Sequence, residues 1–169
     1  MVGEGPLGIA APQPTVGLKR IMNKDALKTA LARFVLEMER QADFTHEAED
    51  RPLYNRFLAI AAVIIAKIEQ EQPIGGDIST TERLFGNTWF RDKEAYTRIY
   101  TEWDIFKGLF TQSIHGMTVN ERLFTLGLFE EFDRAVAKQD VPHMRAVLSK
   151  CILGDDNVEA IIRQQLRKG

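Results

Sequence analysis

Between Pro52 and Gln70 the chain reads PLYNRFLAIAAVIIAKIEQ, and from Phe57 to Ala66 no side chain is polar. Asn55 and Arg56 stand before this run, and Lys67, Glu69 and Gln70 follow it. An apolar run of about ten residues is half of the about 20 needed to cross a bilayer. The pattern predicts a helix buried nearly all round, with other helices packed on it.

The same period recurs on either side. Leu27, Leu31, Phe34, Val35 and Met38 repeat at helical spacing, with Lys28, Arg33, Glu37 and Arg40 between them, which predicts a helix over 24–41. Asn23 is its candidate N-cap and Asp25 complements the helix dipole. Asp50 and Pro52 read as the cap and first turn of the apolar helix, so the first two helices form an antiparallel hairpin. Pro73, Gly75 and Gly76 then predict a break, followed by a capping box at Ser79 and Glu82 and a short helix ending at Gly86-Asn87. Tyr96, Ile99, Tyr100, Trp103, Phe106, Leu109 and Phe110 predict a long helix over 92–112.

Short elements follow. Thr118 and Glu121 make a second capping box, Gly127 predicts a break or bend, and Leu128, Phe132 and Val136 mark a helix to Lys138. Asp140 caps a helix whose expected buried face is Met144, Val147, Leu148, Cys151 and Ile152, with Gly154 just past its end. Asp156 is the expected N-cap of a last helix through Val158, Ile161, Ile162 and Leu166, with cations near its C-terminus. No segment alternates as a strand does. The expected architecture is all-α: a helical bundle over 22–116 and an appended small helical module over 117–169. Residues 1–21, rich in Gly and Pro, read as a disordered tail, or as an arm docked on a partner through Leu7, Ile9, Val16, Leu18 and Ile21.

Composition narrows the function classes. At 169 residues with 44% hydrophobic and 27% charged, the chain has enough material for a real core. A net charge of −2 gives no general attraction to nucleic acid or to an anionic membrane. A lone cysteine, Cys151, fits a reducing compartment, and the N-terminus has no secretory pattern. The expected location is the cytoplasm, without membrane contact.

The segment MTVNERLFTLGLFEEFDRAVAKQDVPHMRAVL, from Met117, resembles small bacterial proteins of unknown function that open with Met-Thr-Val-Asn-Glu-Arg-Leu. They continue with a Gly-Leu step, a Phe-Asp segment and an Asp-anchored helix. The likeness covers the last third of the chain. It implies a helical module and a bacterial source, and no chemistry. Residues 156–162 are similar to the last helix of ubiquitin-binding three-helix domains, and equally to any capped amphipathic helix.

Candidate chemistry is sparse. His46, His115 and His143 show no zinc-ligand spacing, and His46 with Glu47, Glu49 and Asp50 reads as a solvated acidic loop before a cation site. Cys151 reads as a small core hydrophobe. Ser79 and Ser113 lack a nucleophile-elbow pattern, and Gly75-Gly76 lacks the lysine of a phosphate loop. Glu130, Glu131 and Asp133 read as an exposed helix face. No cofactor, no metal and no catalytic residue is expected. The feature with a functional rival is aromatic: Trp89, Phe90, Tyr96, Tyr100 and Trp103, interleaved with Arg83, Arg91, Lys93 and Arg98. Core packing is the first reading, and a partner-binding surface is the rival, because Trp, Tyr and Arg dominate interface hot spots. Interleaved Asp92, Glu94, Glu102 and Asp104 argue against single-stranded nucleic acid. The sequence thus points to a non-enzymatic protein-interaction module, adaptor-, immunity- or antitoxin-like, whose partner is another protein or a second copy. The alternative is a nucleic-acid-associated regulator with a helix-turn-helix in the C-terminal module, for which Arg145 and Lys150 supply few cations.

Overall fold

The computed structural model describes residues 23–44 and 50–167. Among them are eight α-helices and no strand: α1 (Lys24–Phe44), α2 (Arg51–Glu69), α3 (Gly75–Gly86), α4 (Lys93–His115), α5 (Val119–Thr125), α6 (Phe129–Ala137), α7 (Val141–Ser149) and α8 (Asp155–Leu166). The fold is all-α, with helices packed on helices. The expected tail over 1–21 and the His46 cluster lie outside the described residues.

The central helix is α1, not α2. Leu27, Leu31, Phe34 and Met38 put a buried stripe along α1, which packs against both α2 and α4, while α3 packs on α2. Contrary to the expectation of all-round burial, α2 hides one face only: Tyr54, Phe57, Ala61, Ile64 and Ile68. Its opposite face exposes Asn55, Ala59, Ala62 and Ala66, with Val63 at 46% exposure. The discrepancy has a simple cause. Alanine counts as apolar in a pattern, yet its single methyl gains little from burial, whereas each large side chain on the inner face gains about 1.5–3 kcal/mol.

Capping decides the boundaries, and not always through the expected residues. Asn23 accepts from the Ala26 N–H at 3.0 Å. Asp92 accepts from the N–H groups of Glu94 and Ala95 at 2.8 and 3.0 Å. The Thr118–Glu121 capping box forms as expected, and Asp140 accepts from the His143 N–H. Asp50 precedes α2 but makes no side-chain cap bond to it. The expected capping box at Ser79 does not form, because α3 already begins at Gly75. Ser79, Thr80 and Thr81 lie inside that helix and donate instead to the carbonyls of Gly75, Gly76 and Asp77, one turn back.

Several helix ends rest on left-handed residues. Gly127 has φ +69° and closes α5, with the Leu128 N–H reaching the Leu123 carbonyl at 2.7 Å, so the chain does break there. Glu71 and Gln139 take the same conformation, at φ 57° and 52°, although neither is glycine. Ile152 also has a positive φ, 55°, and is 42% exposed, so it leaves the buried face expected of it. Gly154 is the N-cap of α8 rather than the end of α7, and Asp156 falls inside the first turn of α8.

Buried side chains form two clusters. One runs from Leu27 to Met117 and the other from Leu123 to Ile162, with Leu126 packed against both. Their backbones meet where Ile74 and Gly75 face Thr125 and Leu126. The Ile74 N–H donates to the Thr125 carbonyl at 3.3 Å, and Gly75 lies so close to Leu126 that a Cβ there would sit 2.7 Å from the Leu126 Cα. Beside this contact Arg122 binds four carbonyl oxygens. Its guanidinium donates to His115 and Met117 at the end of α4, and to Cys151 and Ile152 after α7, at 2.6–3.0 Å. These are orphan acceptors of helix C-termini, which a fork-shaped cation satisfies well.

Two outcomes are expected. Gly75→Ala should destabilise the fold by about 2 kcal/mol, since backbone must move to admit the methyl. Gly76→Ala, which meets nothing within 4 Å, should be neutral or stabilising by up to about 1 kcal/mol. Equal effects of the two in urea denaturation would rule out the close approach. Arg122→Ala should lower stability by about 1.5–3 kcal/mol, because four carbonyls, two of them in part-buried bonds, lose a charged donor. A change below about 0.5 kcal/mol in that urea midpoint would remove the clamp from the account.

Candidate functional site

The aromatic residues divide by the elements that hold them. Trp103 lies on the inner face of α4 with 0% exposure, against Phe34 and Phe106, with ring centroids 5.4 and 5.3 Å away. Its indole N–H donates to the Glu82 carboxylate, which also pairs with Lys107. Phe90, 5% exposed, closes over Tyr54 and Phe57 at 5.9 Å each. Both are core side chains, and of the two only Phe90 reaches the wall of a surface cavity. Of the five-residue surface expected from the sequence, Trp103 is turned inward on α4 against α1, and Phe90, before α4, packs on Tyr54 and Phe57 of α2.

Tyr96 and Tyr100 are half-buried and stacked, with centroids 5.7 Å apart and planes at 12°. Trp89 is different. It is 77% exposed in the segment between α3 and α4. α3 ends at Gly86, and the Thr88 hydroxyl donates back to the Leu84 carbonyl. The chain thus leaves the helix with Phe85 and Phe90 pointing into the core and Trp89 outside. Trp89 borders a cavity of about 220 Å³ lined with Phe85, Thr88, Phe90, Lys93 and Tyr96. A second cavity of about 220 Å³ lies beside it, lined by Arg56, Ile60, Arg83, Leu84 and again Thr88. Arg83 was singled out by its place near the aromatics. Arg56 was not, since it comes from α2, and only the packing of α3 on α2 brings it here.

The other candidates are engaged elsewhere. Arg98 pairs with Glu94 at 3.4 Å. Ser79 and Ser113 donate to carbonyls of their own helices. The His143 Nε2 and the Lys150 Nζ both lie near Glu131, at 3.3 and 3.5 Å. Arg145 pairs with Glu159 at 2.7 Å, so both cations counted toward a recognition helix have acidic neighbours within the module. Burial raises the Asp133 carboxyl above the usual range. Among the described residues no group of three or more His, Cys, Asp or Glu side chains stands close enough to hold a metal ion. No helix among them is long and apolar enough to cross a membrane.

Cys151 is fully buried, and burial pushes its thiol up to about 11, opposed by the charges of Arg122 and Lys150. The thiolate is the nucleophile. In the native protein iodoacetamide should therefore modify Cys151 on the order of 100-fold more slowly at pH 8 than in the urea-unfolded chain. Comparable rates in the two states would contradict this burial.

Comparison with protein-family models, curated proteins and solved structures finds no match for this chain.

Proposed function

We propose that this chain is a non-enzymatic protein-interaction module of the bacterial cytoplasm, of the adaptor, immunity or antitoxin kind, and that it engages its partner through Trp89. The observation that carries this reading is the exposure of Trp89 at the mouth of a cavity walled by Phe85, Phe90 and Tyr96. A tryptophan left mostly in water forgoes on the order of 3 kcal/mol of burial. Tryptophan beside an apolar pocket, with cations near it, is the composition of an interface hot spot. The bacterial source rests on the likeness of the segment from Met117 to small bacterial proteins. The lone cysteine supports the location.

The test is affinity capture from the native host with wild type, Trp89→Ala and Trp103→Ala, each checked by circular dichroism. Wild type should retain one defined partner, and Trp89→Ala should keep its helicity and bind about 30-fold or more weakly, as loss of a hot-spot residue does. Trp103→Ala should instead lower stability by about 3–5 kcal/mol. A partner held equally by wild type and Trp89→Ala would exclude Trp89 as the docking point.

A further inference from the structure

The two cavities beside Trp89 share Thr88 and form one surface with two kinds of wall. One side is aromatic: Phe85, Trp89 and Tyr96. The other carries Arg56 and Arg83 over Ile60 and Leu84, and Lys93 stands at the aromatic end. Among the described residues no carboxylate lines either cavity. Arg56, Arg83 and Lys93 are exposed, and none of them is in an ion pair among the described residues. The acidic groups nearby in sequence are committed: Asp92 caps α4, Glu94 pairs with Arg98, and Glu82 holds Trp103 and Lys107. A protein of net charge −2 therefore presents, among the described residues, three cations outside any ion pair around one apolar opening.

We infer that this surface takes an acidic peptide segment of the partner with one bulky apolar side chain, which enters the Trp89 cavity while carboxylates meet Arg83 and Arg56. The inference rests on the interaction-module reading and names the chemistry of its partner. Size supports a side chain over a small-molecule ligand. A volume of 220 Å³ falls below the about 300–1,000 Å³ of small-molecule sites, whereas an apolar cavity of about 150 Å³ already holds a benzene ring. Charge complementarity supplies the second requirement. Arginine forks bind carboxylates in bidentate fashion, and cations at a rim speed encounter with an acidic partner. A nucleic acid backbone fits less well, because its charge continues past the opening onto the exposed start of α4, which carries Asp92 and Glu94.

The experiment is selection of random twelve-residue peptides on the full chain by phage display, followed by fluorescence anisotropy of the labelled peptides obtained. The expected peptides are enriched in Asp and Glu around one Phe, Trp, Leu or Ile. Their Kd should rise at least tenfold with Trp89→Ala, at least tenfold with the pair Arg56→Glu and Arg83→Glu, and several-fold between 50 and 300 mM salt. All three side chains are exposed, and circular dichroism verifies that each variant folds. Peptides that need Trp89 but lack acidic enrichment, or that bind the double variant unchanged, overturn this inference and leave the docking reading standing. A selection that yields no peptide dependent on Trp89 overturns both. Labelled oligo(dT) is run in parallel, and binding of it that needs Trp89 and Arg83, with no acidic peptide bound, assigns the surface to nucleic acid instead.

Discussion

Phe85 is the ring on which the larger cluster and the candidate site both depend. It meets Phe34 of α1, Phe57 of α2, Phe90, and Tyr96, Tyr100 and Trp103 of α4. Mostly edge-to-face or tilted pairs of this kind add about 0.5–1.5 kcal/mol each beyond area burial. Phe85 is 4% exposed, yet it also forms part of the wall of the Trp89 cavity. The position of the site is therefore a consequence of the core. α3 must end just after Phe85 has been delivered, and the chain that leaves it has a few residues in which to cross to α4. Phe90 is drawn back under Tyr54 and Phe57, and Trp89, its neighbour, is left on the outside.

The second cluster is attached through backbone contacts as well as through Leu126, which packs against both clusters. Gly75 against Leu126 and Ile74 to Thr125 fix the end of α5 to the start of α3, and the carbonyls gathered by Arg122 fix its middle to the end of α4. This gives a physical content to the sequence pattern from Met117. Met117 is buried in the first cluster and Leu123 in the second. Thr118 and Glu121 cap α5, and Arg122 holds the ends of α4 and α7. Each of these residues has a structural task in the described fold.

Helix existence was legible because large apolar residues recur at a period of 3.6, and Asp92, Thr118 and Asp140 announce their helices by chemistry that acts within one turn. Helix ends were less legible where the left-handed residue is Glu71, Gln139 or Ile152, since nothing in those side chains advertises a positive φ. Gly75-Gly76 misled in the other direction. Paired glycines read as a break, but both lie in the first turn of α3, and at Gly75 the close approach of the Leu126 backbone leaves no room for a Cβ, a long-range fact. The aromatic stripe was legible as a group and not as a site. Periodicity places Tyr96, Tyr100 and Trp103 on one face, yet which of them water reaches depends on α1 and α3 arriving there.

Arg56 shows where sequence reading stops and why. On α2 it adjoins the buried Phe57 and the apolar run that dominated the pattern, and by itself it reads as a helix-flanking cation. Packing of α3 on α2 sets it beside Arg83, 27 positions later in the chain. Two like charges brought together at a surface cost little while both stay hydrated, but neither gains anything from the other. Among the described residues, folding alone supplies no reason to hold two guanidinium groups and a lysine, none in an ion pair, around an aromatic opening. A ligand with complementary charge does, and this argument ties the cations to Trp89 as one surface rather than separate accidents of exposure.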